Sequence, residues 1–247
     1  MMALCAAPWS GSGQTAMPRK PIAVVVAMRV ELAPLLAKMA AQRVDGVELF
    51  ELPEAMVAVG GIGERHARHA AEVVIERVQP KLLVSAGMAG ALSPNLKVGN
   101  VGRMREVVDV ATGERYPTRG GEWVLATSPG ISDVAEKGAL LTKYAADAVD
   151  MEAAAVAQVA KERGLEFAAV KAISDDSAFP MPPLTRFIDG NGRFETRQFL
   201  IYVALHPKWW ATLAKIRKNS KLASANLCRE LQHLIESSSQ QSVVNSQ

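Results

Sequence analysis

Residues 22–28 read Ile-Ala-Val-Val-Val-Ala-Met, an unbroken apolar run rich in β-branched side chains, with no polar face to offer water. A strand of that kind is stable in the middle of a sheet covered on both faces, as in layered α/β proteins. The rest of the chain supplies candidates for the covering layers. Residues 31–41 and 64–78 carry apolar positions at helical spacing, and Pro34 is tolerable because it falls in the first turn. Strands are expected at 56–59, 81–85, 101–110, 123–126 and 167–173, and helices at 132–144 and from Glu152 to a stop at Gly164. Strands and helices alternate throughout, which points to an α/β layered fold.

The chain has 247 residues, 49% hydrophobic and 21% charged, enough for one sizeable core. A net charge of +3 is too small to argue for nucleic acid. Cys5 and Cys228 are the only cysteines, so neither a disulfide framework nor a cysteine metal site is implied, and a reducing cytoplasm fits. Residues 1–17 read as a disordered leader without the basic and apolar regions of a secretory signal, and Met17 is a second candidate start. No apolar run reaches the length of about eighteen residues that a membrane-spanning helix needs. Residues 18–236 are expected to form one domain with a helical C-terminal extension. Past Ala178 the chain passes through a Phe-Pro-Met-Pro-Pro connector and an Asp-Gly-Asn-Gly turn, then helices at 198–205 and 209–235 divided at Pro207. Residues 237–247 are polar and expected to be disordered.

Chemistry concentrates in residues 149–178. Glu152 opens a helix, and the apolar strand after Gly164 runs into Ser174, Asp175 and Asp176. Open α/β sheets bind substrates at the carboxyl ends of their strands, which is where these acids fall. Glu31 sits at another strand-to-helix junction. From the residues alone, Glu31 and Glu152 are equally well read as first-turn acids favoured by the helix dipole, Met151 as a core residue, and Asp175 and Asp176 as turn residues. Gly87-Met88-Ala89-Gly90 ends the strand at 81–85, with glycines that allow close approach by a ligand. Gly61-Ile-Gly63 precedes a helix but lacks the third glycine of a dinucleotide fingerprint. His66 and His69 share one helix face without further ligands, so no metal and no cofactor is expected. No Gly-x-Ser-x-Gly elbow is present.

Two motifs in order, Val149-Asp-Met-Glu152 and Ile173-Ser-Asp175, with the expected helix and strand between them, closely resemble the signature of the purine nucleoside phosphorylase and methylthioadenosine/S-adenosylhomocysteine nucleosidase superfamily. The resemblance implies a three-layer fold, a central mixed twisted sheet flanked by helices. It further implies that Glu152 holds the ribose hydroxyls, Met151 packs against the sugar, and Asp175, positioned by Ser174, assists the departing base. Ala27-Met28-Arg-Val-Glu31 resembles the nucleosidases' "A-M-x-x-E" motif, which makes Glu31 the water-activating carboxylate. Cleaving a sugar–nitrogen bond needs an acid near the base and a base near the anomeric carbon, the problem that inverting glycosidases solve with two carboxyl groups. Met88, Ala89 and Gly90 match a "G-(S/T)-A-G" substrate loop in which Met88 replaces the hydroxyl residue. Phosphorylases recruit arginines to the phosphate. Loss of the hydroxyl, together with Glu31, favours water as nucleophile, with phosphate the alternative through Arg29, Arg65 or Arg103. Residues 127–132 offer no aromatic ring to the base.

The tail resembles a narrower group. Pro183-Leu-x-x-Phe-Ile-Asp-Gly-Asn-Gly-Arg193 and His206-Pro-x-Trp-Trp-x-x-Leu-x-x-Ile-Arg217 are similar to the hopanoid-associated phosphorylase-like proteins, whose proposed reaction removes adenine from adenosylhopane. The resemblance implies a homodimer and a small-molecule nucleoside substrate with a large apolar 5′ group. Trp209, Leu213 and Ile216 form one stripe beside Lys208, Lys215, Arg217 and Lys218. Such a helix can lie at a membrane surface, here by contact through Trp209 and Trp210 at the inner membrane. It can equally pack on the core or on a subunit interface.

Overall fold

The computed structural model describes residues 20–180, 184–187, 189, 195, 198–199, 202 and 206–244. The leader, most of the connector and its Asn-Gly turn, and most of the helix expected at 198–205 lie outside the described residues.

Strand β1 (Ile22–Val26) is buried along its whole length. Its odd and even side chains enter different cores, which is the physical meaning of its unbroken apolar sequence. Ala23 and Val25 pack with helices α2 (Glu64–Val78) and α4 (Ala153–Arg163) on one face. Ile22, Val24 and Val26 pack on the other face with Leu227 and Leu231 of the C-terminal helix α5 (Trp210–Val244). The chain is therefore a three-layer α/β molecule.

β1 lies between two parallel neighbours, β4 (Ala55–Val59) and β5 (Leu82–Ala91). Beyond β4 the sheet ends in an antiparallel pair, β2 (Gln42–Val44) and β3 (Val47–Glu51). On its other side β5 pairs along its length with parallel β10 (Glu166–Asp175). At its far end β5 is also met by the antiparallel β9 (Ala148–Asp150). The pairings β10 with β6 (Val101–Asp109), β6 with β8 (Trp123–Thr127) and β8 with β9 close a five-stranded ring around this half of the molecule. A short β7 (Arg115–Pro117) flanks β6. α3 (Val134–Tyr144) starts from a reciprocal cap, in which Asp133 accepts from the Glu136 N–H and Glu136 from the Asp133 N–H.

Several boundaries differ from expectation. The helix at 31–41 is a 3-10 turn (Arg29–Leu32) followed by one α-turn, α1 (Ala33–Leu36). The chain then enters the β2–β3 hairpin. Asp45 and Gly46, at φ 49° and 84°, form its two-residue turn, so an Asp-Gly pair outweighs continued helix. The Gly87-Met88-Ala89-Gly90 segment is strand, held by β10 on one side, rather than loop. β10 likewise runs through Ser174 to Asp175, with a bulge between Ile173 and Asp175. The C-terminal helix continues past Ser237 to Val244, where polarity suggested disorder; no glycine or proline intervenes to stop it. No described helix is long and apolar enough to cross a membrane.

Candidate active site

The carboxyl ends of β1, β5, β9 and β10 open into one cavity of about 220 Å³. Glu31, Met88, Ala89, Gly90, Met151, Glu152, Ser174 and Asp175 all line it, so these eight candidates from the sequence come together there. Met28, Ile62, Ile131 and Val149 add apolar wall. Asp176 does not line it, and its carboxylate stands 4.0 Å from Lys215. The structure thus separates two adjacent acids that spacing left equivalent.

Glu31 is buried where β1 gives way to the 3-10 turn. Its Oε2 accepts from the Met28 N–H at 2.8 Å and its Oε1 from the Met88 N–H at 2.9 Å. Burial raises its pKa above the usual carboxylate value, against the opposing pull of those two N–H groups and of Lys171. A first-turn acid facing solvent has neither the burial nor the link to β5.

Glu152 stands at the N-cap of α4. Its Oε1 accepts from the Gly63 N–H at 2.9 Å and its Oε2 from the Met151 N–H at 3.2 Å. Gly63 holds φ 95°, open to glycine, and so aims its N–H across to α4. The N–H at the end of Gly61-Ile-Gly63 is thus taken by a carboxylate of the chain itself. Burial and the neighbouring Asp150 and Glu31 carboxylates push Glu152 up to about 7, with Lys171 pulling the other way.

Beneath these two acids lies a charge cluster that sequence reasoning missed. Lys171, on β10 and fully buried, donates to Ser85 Oγ at 3.0 Å and pairs with Asp150 Oδ2 at 2.8 Å. Asp150 also accepts from the Thr127 hydroxyl at 2.7 Å and the Ala153 N–H at 3.0 Å. Burial works to lower the Lys171 pKa, but Asp150, Glu152 and Glu31 outweigh it and hold the ammonium above its usual value. The sequence did carry a signal: Lys171 is the one charge inside Phe-Ala-Ala-Val-Lys-Ala-Ile, and a buried charge must be paired.

Asp175 closes the opposite side. Its Oδ1 accepts from the Ser174 hydroxyl at 2.7 Å, and its Oδ2 pairs with Lys137 of α3. Both partners of that pair are buried. Lys137 carried no sequence signal, because a lysine in a short amphipathic helix reads as solvated. Along β5, Glu31 meets Gly87 and Met88 while Asp175 meets Gly90. Three strand residues of rise place these two ends roughly 10 Å apart.

The candidate phosphate arginines are engaged elsewhere, and none lines the cavity. Arg29 lies over the Phe50 ring and donates to the carbonyls of Leu36 and Met39. Arg103 pairs with Glu230 at 2.7 Å, and Arg65 lies 3.5 Å from His66 Nε2.

Buried carboxylates thus gather at the strand ends of a β5-centred mixed sheet. The profile of the phosphorylase superfamily matches residues 21–129 and 105–191, together more than half of the sequence, and the chain belongs to that superfamily. Among solved structures, a 5′-methylthioadenosine/S-adenosylhomocysteine nucleosidase from Helicobacter pylori superposes with a TM-score of 0.66 at 17% identity, covering 91% of this chain and 100% of its own. A nucleosidase of the same description from Colwellia psychrerythraea, solved with adenine, gives 0.66 at 17%, covering 90% and 96%. Futalosine hydrolase from Helicobacter pylori gives 0.62 at 18%, covering 90% and 100%. At these identities the likeness is one of fold. No curated protein matches the sequence.

Proposed function

We propose that this chain hydrolyses the N-glycosidic bond of a purine nucleoside, with adenine-type bases favoured. The observation that carries the reading is Glu31: a buried carboxylate of raised pKa, fixed by two main-chain N–H groups and facing the same cavity as Glu152 and Asp175. As the sugar–nitrogen bond stretches, positive charge grows on the sugar and negative charge on the base. Glu31 takes a proton from the attacking water, and its raised pKa makes it a stronger base than an ordinary glutamate. Glu152 accepts from the ribose hydroxyls, with Met151 against the sugar. Asp175, held by Ser174, serves the side from which the base departs. Met88, Ala89 and Gly90 form the floor.

Water is favoured over phosphate because, among the described residues, no arginine lines the cavity, and Met88 replaces the loop hydroxyl. The structural neighbours named above as nucleosidases and hydrolase point the same way. The test is to incubate the protein with adenosine-type nucleosides, with and without phosphate, and to identify the sugar product. Free ribose, independent of phosphate, is expected; ribose 1-phosphate formed only with phosphate refutes hydrolysis. Glu31→Gln keeps an acceptor for the Met88 N–H and should lower kcat by about 10²–10⁴-fold, the usual share of a general base.

A finer reading joins the apolar wall to the tail: a nucleoside with a large hydrophobic 5′ group, such as adenosylhopane, presented at the inner membrane to a homodimer. Trp210 is 56% exposed at the start of α5, and Lys215, Arg217 and Lys218 are exposed along it, whereas Trp209, Leu213 and Ile216 are half-buried. Sedimentation with anionic liposomes of the intact chain against a Trp209→Ala/Trp210→Ala variant tests the contact, and equal binding removes it.

A further inference from the structure

We propose that Ser132 reads the base: its hydroxyl hydrogen-bonds to the purine edge remote from the sugar, where N1 and the 6-amino group lie. The inference rests on the nucleoside-cleaving reading above and deepens it. Ser132 lines the cavity and is 5% exposed. Among the described residues its hydroxyl has no hydrogen-bond partner, yet it is not sealed from solvent, so it opens onto the cavity. The other polar side chains of the wall are engaged. Glu31 and Glu152 each accept two main-chain N–H groups. Asp150 pairs with Lys171, and Asp175 accepts from Ser174 and pairs with Lys137. Folded chains rarely leave a buried polar group unmet, and a group left so at a cavity wall is matched to what enters the cavity.

Local structure gives the hydroxyl no other task. Ser132 stands just before the start of α3, where serine commonly serves as a cap, but here the cap is Asp133 and its reciprocal partner is Glu136. The helix start is complete without it.

Its position fits a base contact. Lys137 lies in the second turn of α3 and pairs with Asp175 at the end of β10, so Ser132 stands at the Asp175 end of the cavity, across from Glu31 and Glu152. In the reading above that end takes the base. Gly130 and Ile131 beside it bring no aromatic ring, which leaves Ser132 as the side chain by which this loop distinguishes a purine from an apolar ring of the same size. A hydroxyl both donates and accepts, and so suits an edge that offers N1 as acceptor and an amine as donor.

The test compares wild type with Ser132→Ala. Because the hydroxyl bonds nothing within the described chain, its removal should not lower Tm, whereas loss of a structural hydroxyl would. On an adenosine-type nucleoside that the wild type cleaves, KM should rise about fivefold with kcat little changed, as when binding is lost equally from ground and transition states. Calorimetry with free bases locates the contact. Ser132→Ala should weaken adenine about fivefold, and 3-deazaadenine, which keeps N1 and the amine, by the same factor. With purine, which lacks the amine, or with 1-deazaadenine, which lacks N1, the two proteins should bind within about twofold of each other. Equal affinity of the two proteins for adenine, an effect missing with 3-deazaadenine, a loss that is the same for all four bases, a loss confined to kcat, or a fall in Tm overturns the proposal while leaving the hydrolase reading standing. A wild-type chain that releases base from no nucleoside overturns that reading, and this inference with it.

Discussion

Replacing Lys171 by Met would show how strongly the site depends on its one central cation. The ammonium lies 2.8 Å from Asp150 Oδ2, with side-chain exposures of 1% and 0%. The methionine fills the space but leaves Asp150, Glu152 and Glu31 grouped without a counter-charge. Removing one partner of a buried ion pair costs about 3–5 kcal/mol, because the other charge stays behind uncompensated. For a chain of this size each kcal/mol is worth about 2–4 °C in Tm, so the midpoint should drop by roughly 6–20 °C at neutral pH. Calorimetry or a circular-dichroism melt reads this directly. Lys171→Met/Asp150→Asn removes the orphaned charge and should recover part of the loss, since the single carbonyl oxygen of Asn keeps an acceptor for only one of two donors, the Thr127 hydroxyl on Oδ1 or the Ala153 N–H on Oδ2. Mild acid should also narrow the gap, by protonating the crowded carboxylates. A single variant that melts within about 2 °C of wild type, or a double variant that melts lower still, refutes the reasoning.

Glu152, held up at about 7 against an ordinary 4.5, binds a proton more tightly folded than unfolded. Its contribution to stability is present below about pH 4.5 and is lost as pH rises through 7, so Glu152→Gln should gain stability relative to wild type across that window in urea titrations; a constant difference would dissociate Glu152 from the effect. Gly90→Ala should leave the strand intact, since its φ is not positive, but push on Asp175 and Lys137; kcat should fall by about 10²-fold with little change in Tm, and an unaltered kcat would show that the pair does not need the bare floor.

The layering was legible in the sequence because it rests on periodicity, which one strand such as β1 displays completely. Helix α2 is read within its observed limits for the same reason. The misread places are those where a local pattern met a tertiary partner. Gly87 to Gly90 reads as loop from composition, yet β10 completes it as strand by hydrogen bonding that no local signal announces. β9 is too short to have a period of its own and exists because β5 and β8 both pair with it. At the site, the acids were visible through their motifs. The cations were not, because a lysine is identified as buried only by knowing what lies opposite: Asp150 across the sheet for Lys171, and Asp175 at a bulged strand end for Lys137.

The packing of α5 against the 3-10 turn of Glu31 has a consequence for synthesis. Leu32 and Leu36 share a buried cluster with Leu227 and Leu231, and the Ser224 hydroxyl donates to the Val30 carbonyl. The segment that fixes Glu31 therefore rests on residues made about two hundred positions later. On the ribosome, sheet strands can pair as they emerge, but the ledge beneath Glu31 stays bare until the C-terminal helix has cleared the exit tunnel. In a nascent chain the turn that β1 leads into is thus unsupported, and α5 is the part that completes the setting of Glu31, the first of the cavity acids along the sequence.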